Sequence, residues 1–324
     1  MIHLRLIVPA DRSDQTVRLL CGDPRVTNVV VVPVAGRDPV GDLVTCEVAR
    51  EAASDVLGRL RPLGILDVGS VTLADVEAAP SANARAAERA APGAPDDGVV
   101  WDIVEERAEG EARPSWSYYA FLTLATMIAA VAVVLDSPVL VVGACVVSPE
   151  FGAVSALAVG LALRMPRLAG NAARLLLYGF VVAIAVTAVA ALTARAGGWV
   201  DNVHLTGARP ITGYIYKPDR WSFVVALLAG CAGVLSQTAG RANALIGVFI
   251  SVTTVPAAGN LALALALWET DEIGGSATQL VVNLFGMTVA GVATLLVQRT
   301  IWRRLHRRRQ VEAPADPQAG SRER

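Results

Sequence analysis

The hydrophobic pattern of the chain changes twice. Over roughly the first 75 residues apolar positions come in short alternating runs, from about 117 to 300 they are nearly continuous, and beyond 300 polar residues take over. Alternation predicts strands at Ile2–Val8, Val26–Val34, Asp42–Val48 and Ile65–Leu73, with helices at Ser13–Leu20 and Glu51–Leu60. The resulting βαββαβ order predicts a ferredoxin-like α+β soluble domain over 1–77. Its two helices cover one sheet face and leave the other for a partner such as a second copy.

The apolar region divides into six windows of about 20 residues each, the length that crosses a bilayer. They are Tyr118–Leu135, Val139–Leu163, Ala173–Ala194, Ser222–Ser236, Ala242–Leu267 and Ala277–Thr300. Residues 78–97, rich in Ala, Pro, Gly and Asp, read as a linker, and Val99–Glu109 as a short amphipathic helix, so that 78–116 joins the soluble domain to a membrane domain of 117–300. Residues 301–324 read as a basic, disordered tail. Two windows are interrupted, one by Ser148-Pro149-Glu150-Phe151-Gly152 and one by Thr254-Val255-Pro256-Ala257-Ala258-Gly259. Proline removes a backbone donor and clashes with the preceding turn. In lipid such a break survives only where protein or a water-filled cavity satisfies the freed groups.

The two breaks are related. A constant offset of 107 residues carries Pro149 onto Pro256, Gly152 onto Gly259, Leu177 onto Leu284 and Gly179 onto Gly286, with Tyr178 meeting Phe285. The offset predicts two three-span repeats, about 117–196 and 221–300. An odd number of spans turns the second repeat over, giving inverted-topology repeats with the breaks near the midplane.

Composition fits a membrane protein, with 54% hydrophobic residues and a mean hydropathy of +0.50. The net charge of −1 is uninformative because a basic end cancels acidic stretches. Charge placement says more. Arg164, Arg167, Arg174, Arg241, Arg299, Arg303, Arg304, Arg307, Arg308 and Arg309 share one side with both termini, while Asp136, the 195–220 loop, Glu269, Asp271 and Glu272 take the other. The positive-inside rule then predicts a multi-pass protein of the inner (plasma) membrane with both termini cytoplasmic. Ile2–Val8 is too short and too polar for a signal peptide. The arginine tail is expected to engage anionic lipids of the bilayer, the chain to form homo-oligomers, and nucleic acid to be excluded as a partner.

No enzyme is expected. Cys21, Cys46, Cys145 and Cys231 form no Cys-x-x-Cys pair and read as buried free thiols, and His3 stands alone in a strand. Nucleophile elbow, phosphate loop and metal-ligand spacing are all missing, so no catalytic residue, metal or cofactor is assigned.

Ser148-Pro149-Glu150 reads as a helix start, with a capping hydroxyl, Pro at the first helical position and an acid in the first turn. Such a start presents free N–H groups and partial positive charge within the membrane. Thr253 and Thr254 could serve the second half in the same way, and carbonyls ending the preceding halves could hold a cation instead. Glu150 is the one acid well inside a span, a functional hypothesis by default. Ser251, Thr253, Thr254, Asn260 and Asn283 complete the expected solute- or ion-binding set around the helix-breaking Pro149, Gly152, Pro256 and Gly259. Hydrogen bonding between helices explains such polar residues as readily.

Residues 136–152 (DSPVLVVGACVVSPEFG), 244–256 (ALIGVFISVTTVP) and 283–286 (NLFG) resemble the conserved segments of the domain of unknown function 389 family, hydrophobic membrane proteins of bacteria and archaea. The resemblance spans roughly 116–300. It implies an apolar residue at the place of Glu150 in many members, which weighs against Glu150 being essential to all of them. The family assigns no substrate. A secondary transporter or permease for a small solute or ion is the leading expectation. A membrane-anchored sensor or oligomeric scaffold, whose N-terminal domain binds a ligand or another subunit, is the alternative. If loop charge sets orientation, a reporter active only in the cytoplasm works when fused after Arg324 and fails when inserted in the 195–220 loop; the opposite pattern refutes the assignment.

Overall fold

The computed structural model describes residues 1–91, 93, 98–200, 209–239 and 254–301 with their side chains, and the backbone alone of 302–312. The chain forms two compact units, Met1–Ile103 with Gln298–Arg324, and Val104–Val297.

The first unit is built from β1 (Ile2–Val8), α1 (Ala10–Cys21), β2 (Val26–Arg37), β3 (Val40–Val48), α2 (Ala53–Leu60), α3 (Ile65–Val68), β4 (Ser70–Asp75) and α4 (Ala82–Ala90). Its small sheet is antiparallel throughout, in the order β2-β3-β1-β4. Leu4 of β1 lies opposite Cys46 on β3 and Leu73 on β4. The period of two sends Ile2, Leu4, Leu6 and Val8 to one face, where they bury against Leu20 of α1 and Val56, Leu57 and Leu60 of α2. Each fully buried side chain of this kind contributes roughly 1.5–3 kcal/mol. Burial pushes the Cys46 thiol up to about 12 and the neighbouring Glu47 charge adds to the shift, which makes the thiol inert. Cys21, expected to be buried, is exposed at the end of α1.

The fold departs from the predicted pattern in three places. Ile65–Val68, expected to open the last strand, forms the short α3, and β4 begins only at Ser70. Gly64 turns the chain in the left-handed region (φ +65°), and a Cβ on Gly69 would sit 2.3 Å from the Ile7 carbonyl oxygen, so the strand can start only after both glycines. The linker expected over 78–97 contains α4. Ser81 caps it by accepting from the Ala84 amide at 3.0 Å, and an alanine-rich segment is a strong helix former once capped. The tail expected to be disordered from 301 continues as helical backbone to Glu312. Residues 313–324 lie outside the described residues.

The second unit is helical. After α5 (Trp101–Glu111) come α6 (Trp116–Val134), α7 (Pro138–Val147), α8 (Glu150–Ala162), α9 (Pro166–Ala196), α10 (Arg220–Thr238), α11 (Thr254–Leu267) and α12 (Thr270–Glu312). Among the described residues, four helices are long and apolar enough to cross a membrane: α6, α9, α10 and the Thr270–Ile301 part of α12. The pair α7 and α8, bent by 53° at their junction, makes a fifth if it counts as one span. The first part of the expected window Ala242–Leu267 lies outside the described residues. Leu124, Val131, Leu177, Val181, Leu228, Val281 and Phe285 stay exposed on these helices, and exposed Trp116, Trp199, Trp221 and Trp268 stand at or near helix ends. Apolar flanks with terminal aromatic residues are the dress of a membrane protein.

Between β2 and α2 one cluster ties the first unit together. Asp23, its side chain 2% exposed, accepts from Arg25 (2.8 and 2.7 Å) and from Arg59 (2.8 Å). Burial alone would raise the Asp23 carboxyl; the hydrogen bonds and charge of Arg25, with Arg59, outweigh it and hold the group below its ordinary value. A depressed carboxyl stabilises the fold above its unfolded value near 4, and that contribution disappears as pH falls through the folded value. Asp23→Asn is expected to cost roughly 2–4 kcal/mol at neutral pH, less than a fully buried pair because Arg59 is half exposed. Faster amide exchange in β1 and α2 of the full chain is the readout; wild-type protection in the variant refutes the role.

Candidate functional site

At the first break α7 stops at Val147 and α8 starts at Glu150. Pro149, and not Ser148, occupies the capping position, and the cap makes no side-chain hydrogen bond. Ser148 is one residue too early to reach the first-turn amides, which corrects the expected cap. Its hydroxyl is buried beside the Glu150 carboxylate and has no other hydrogen-bond partner among the described residues. Glu150 is 5% exposed, and its Oε2 lacks a partner. An unpaired buried polar atom costs about 1–3 kcal/mol, more if charged. The Tyr118 hydroxyl on α6 is another buried atom without a partner, and the residue stands near both Glu150 and Glu111. Glu111 of α5 lies across the start of α8, so close that a Cβ on Gly152 would be 2.1 Å from its Oε2. Gly152 is therefore what admits a carboxylate to this helix start. Further along α8, Ser155 donates to Gln237 of α10, whose carbonyl accepts from Arg107 at 3.3 Å.

The second expected break, at 254–259, is not a break in the structure. α11 starts at Thr254 and runs without interruption through Pro256 and Gly259. Proline is tolerated in a first turn because its missing N–H would have had no partner there. Gly259 instead lets α6 approach, since a Cβ there would lie 2.7 Å from the Ala130 amide nitrogen. Residues 240–253, which include Ser251 and Thr253, lie outside the described residues. Thr254 is fully buried and its hydroxyl has no partner.

Asn260, expected to line a solute path, is instead saturated. Its amide donates to Glu272 (3.0 Å) and Ser276 (2.8 Å) on α12, and its carbonyl accepts from Arg209 at 2.9 Å. Arg209 also pairs with Glu272; the two side chains are 5% and 9% exposed, and the guanidinium lies 5.0 Å from the Tyr216 ring centre. Asp136, in the turn between α6 and α7, anchors the loop that delivers Arg209 by accepting from the amide and hydroxyl of Thr212, each at 2.7 Å. A Cβ on Gly275 would meet the Tyr216 carbonyl oxygen at 2.0 Å, so the same loop presses onto α12. Asn283 is buried on α12 and accepts from Gln279 at 3.4 Å.

Two groupings thus form around two different half-helices: Ser148 and Glu150 with Tyr118 and Glu111 at α8, and Asn260 with Arg209, Glu272 and Ser276 at α11. The hydrophobic pattern pointed to Glu150 and Asn260 and missed Arg209, Glu272, Glu111 and Tyr118. Glu272 sits in an acidic run that reads as a solvated loop. Nothing in the sequence pattern joins it to Arg209, which is one of four basic residues in the 195–220 loop.

Long apolar helices, a bent helix pair and half-helices that start inside the bundle define a membrane protein with a small N-terminal sheet domain. Residues 145–289 match the family model described as Domain of unknown function (DUF389), a span that runs from within α7 into α12 and contains both half-helices. The resemblance drawn from the segments at 136–152, 244–256 and 283–286 is borne out over that span. No curated protein and no solved structure matches the chain.

Glu272→Ala leaves the Arg209 charge buried and is expected to destabilise by about 3–5 kcal/mol, whereas Arg209→Met combined with Glu272→Leu recovers most of the loss. Thermal unfolding in detergent measures both; a single variant that melts with the wild type would falsify the ion pair's role.

Proposed function

We propose that the protein is a secondary transporter or permease for a small solute or ion, and not an enzyme, with its site where the two half-helices begin. The observation that carries this reading is the set of buried oxygens with no partner beyond one another, those of Ser148 and Glu150 at the start of α8 and of Thr254 at the start of α11. A soluble fold removes such atoms or pairs them, whereas a protein that takes a polar guest keeps them for the guest. Half-helix starts inside a membrane domain are where such guests bind.

The proposed architecture is six spans in two inverted repeats, with both termini cytoplasmic, and the 107-residue offset supports it in packing as well as in sequence. Gly179 of α9 packs on Tyr118 and Leu122 of α6, and its counterpart Gly286 of α12 packs on Phe223 and Ala226 of α10. An apolar groove of about 450 Å³ is lined by counterpart residues of α9 and α12, among them Leu177 with Leu284 and Val181 with Thr288. The strand order of the first unit supports a ferredoxin-like reading.

One observation favours the scaffold alternative. Val30, Val32, Val34 and Val40 are exposed together where β2 meets β3, on an edge suited to a second copy. The two readings are compatible, with the soluble domain assembling subunits around a transporting membrane domain.

Proton flux into proteoliposomes carrying an internal pH dye tests the role of the acid. Wild-type protein is expected to conduct or couple protons, and Glu150→Gln to abolish the pH dependence of that flux while keeping the wild-type melting temperature. Identical pH profiles for the two proteins remove Glu150 from the mechanism.

A further inference from the structure

A second cavity has a different chemistry. It holds about 510 Å³ and is lined by Glu109, Arg113 and Pro114 around the α5–α6 turn and by Pro166, Arg167 and Asn171 at the head of α9, with Ala112, Met165 and Leu168 beneath them. We propose that this cavity seats the phosphate of an acidic phospholipid headgroup.

Charge comes first. Two guanidinium groups and one carboxylate line the cavity, a formal excess of one positive charge, and neither Arg113 nor Arg167 is in an ion pair among the described residues. One excess charge suits the single charge of a phosphodiester better than the nearly double charge of free phosphate at neutral pH. Planar guanidinium groups are suited to gripping phosphate oxygens in pairs.

The head of α9 adds to this field. Its capping position, Met165, offers no side-chain hydrogen bond, Pro166 fills the first helical place, and the first turn carries no acid. The amides of Arg167 and Leu168 therefore have no partner inside the helix and sit at the positive end of its dipole. The apolar residues decide between lipid and free anion. Ala112, Pro114, Met165 and Leu168 share the cavity with the guanidinium groups, and α6 and α9 begin their apolar runs at this level. A polar head beside an apolar wall fits an amphiphile, as in basic pockets between transmembrane helices.

Native mass spectrometry of the full chain in detergent, titrated with phosphatidylglycerol and separately with phosphatidylcholine, tests the site. The wild type is expected to retain phosphatidylglycerol in preference to phosphatidylcholine. Arg113→Gln with Arg167→Gln is expected to weaken the phosphatidylglycerol affinity roughly thirtyfold. Arg113→Lys with Arg167→Lys should keep most of it, and Glu109→Gln should tighten it. Neutralising Arg303, Arg304, Arg307, Arg308 and Arg309 should leave this binding event in place. Equal retention in wild type and the double glutamine variant, or no gain with Glu109→Gln, overturns the proposal. Displacement of the lipid by millimolar inorganic phosphate would show a free-anion site and overturn it as well.

Discussion

A polar group enclosed by hydrocarbon has no water to turn to, so it must find a partner in the protein or carry a penalty, and the membrane domain is arranged around that constraint. A half-helix that starts inside the bundle exposes first-turn amides with nothing above them. Such an element can exist only where other helices enclose it. Ten of the 13 residues of α8 and 12 of the 14 of α11 are buried, against eight of the 19 in α6, which makes the two half-helices the interior and the long helices their walls. Small residues make this enclosure possible. Alanine recurs through both half-helices, and the approach at Gly259 brings backbone against backbone, the close packing that replaces the hydrophobic drive between helices in lipid.

The two half-helices meet the constraint in opposite ways. Around Asn260 of α11 the polar partners are present: Asn260 uses both its amide and its carbonyl, Glu272 uses both oxygens, and Arg209 adds a ring contact. A network so complete rigidifies what it joins, because loss of any member leaves the others buried and unpaired. Around α8 the hydroxyl of Tyr118 and one oxygen of Glu150 are left without partners, and the hydroxyl of Ser148 has only Glu150 beside it. The first cluster is spent on structure. The second leaves oxygens without partners, and the proposed site rests on them.

The sequence carried the architecture more legibly than the site. Period-two alternation located the strands because β1 buries one face and leaves His3 and Arg5 on the other, and apolar length located the spans because a bilayer imposes it. Pro149 marked a true break, since the residues before it had to leave helical geometry. Pro256 gave the same signal for another reason: it sits in the first turn of α11, where the pattern cannot tell a broken helix from a starting one. Asn260 was found as a buried polar residue, but its partners were hidden. Glu272 is 12 residues further along the chain and Arg209 is 51 residues earlier, and only tertiary structure joins them. The same holds for Glu111, which reaches α8 solely because Gly152 lacks a side chain.

The proposed repeat sharpens the difference between the halves. Through the offset of 107 residues, Glu150 corresponds to Ala257, while Asn260, Glu272 and Ser276 correspond to Ala153, Met165 and Ala169. Neither cluster therefore has a copy in the other half. An inverted repeat with identical clusters would hold both sides of the membrane alike. Here one proposed half carries an ion pair that joins α11, α12 and the 209–217 loop, and the other carries an unpartnered acid oxygen at the start of α8. Parting a pair as deeply buried as Arg209–Glu272 is costly unless new partners form at once. Under the proposed transport reading, the residue that would meet a guest and the residues that hold the bundle closed belong to separate clusters.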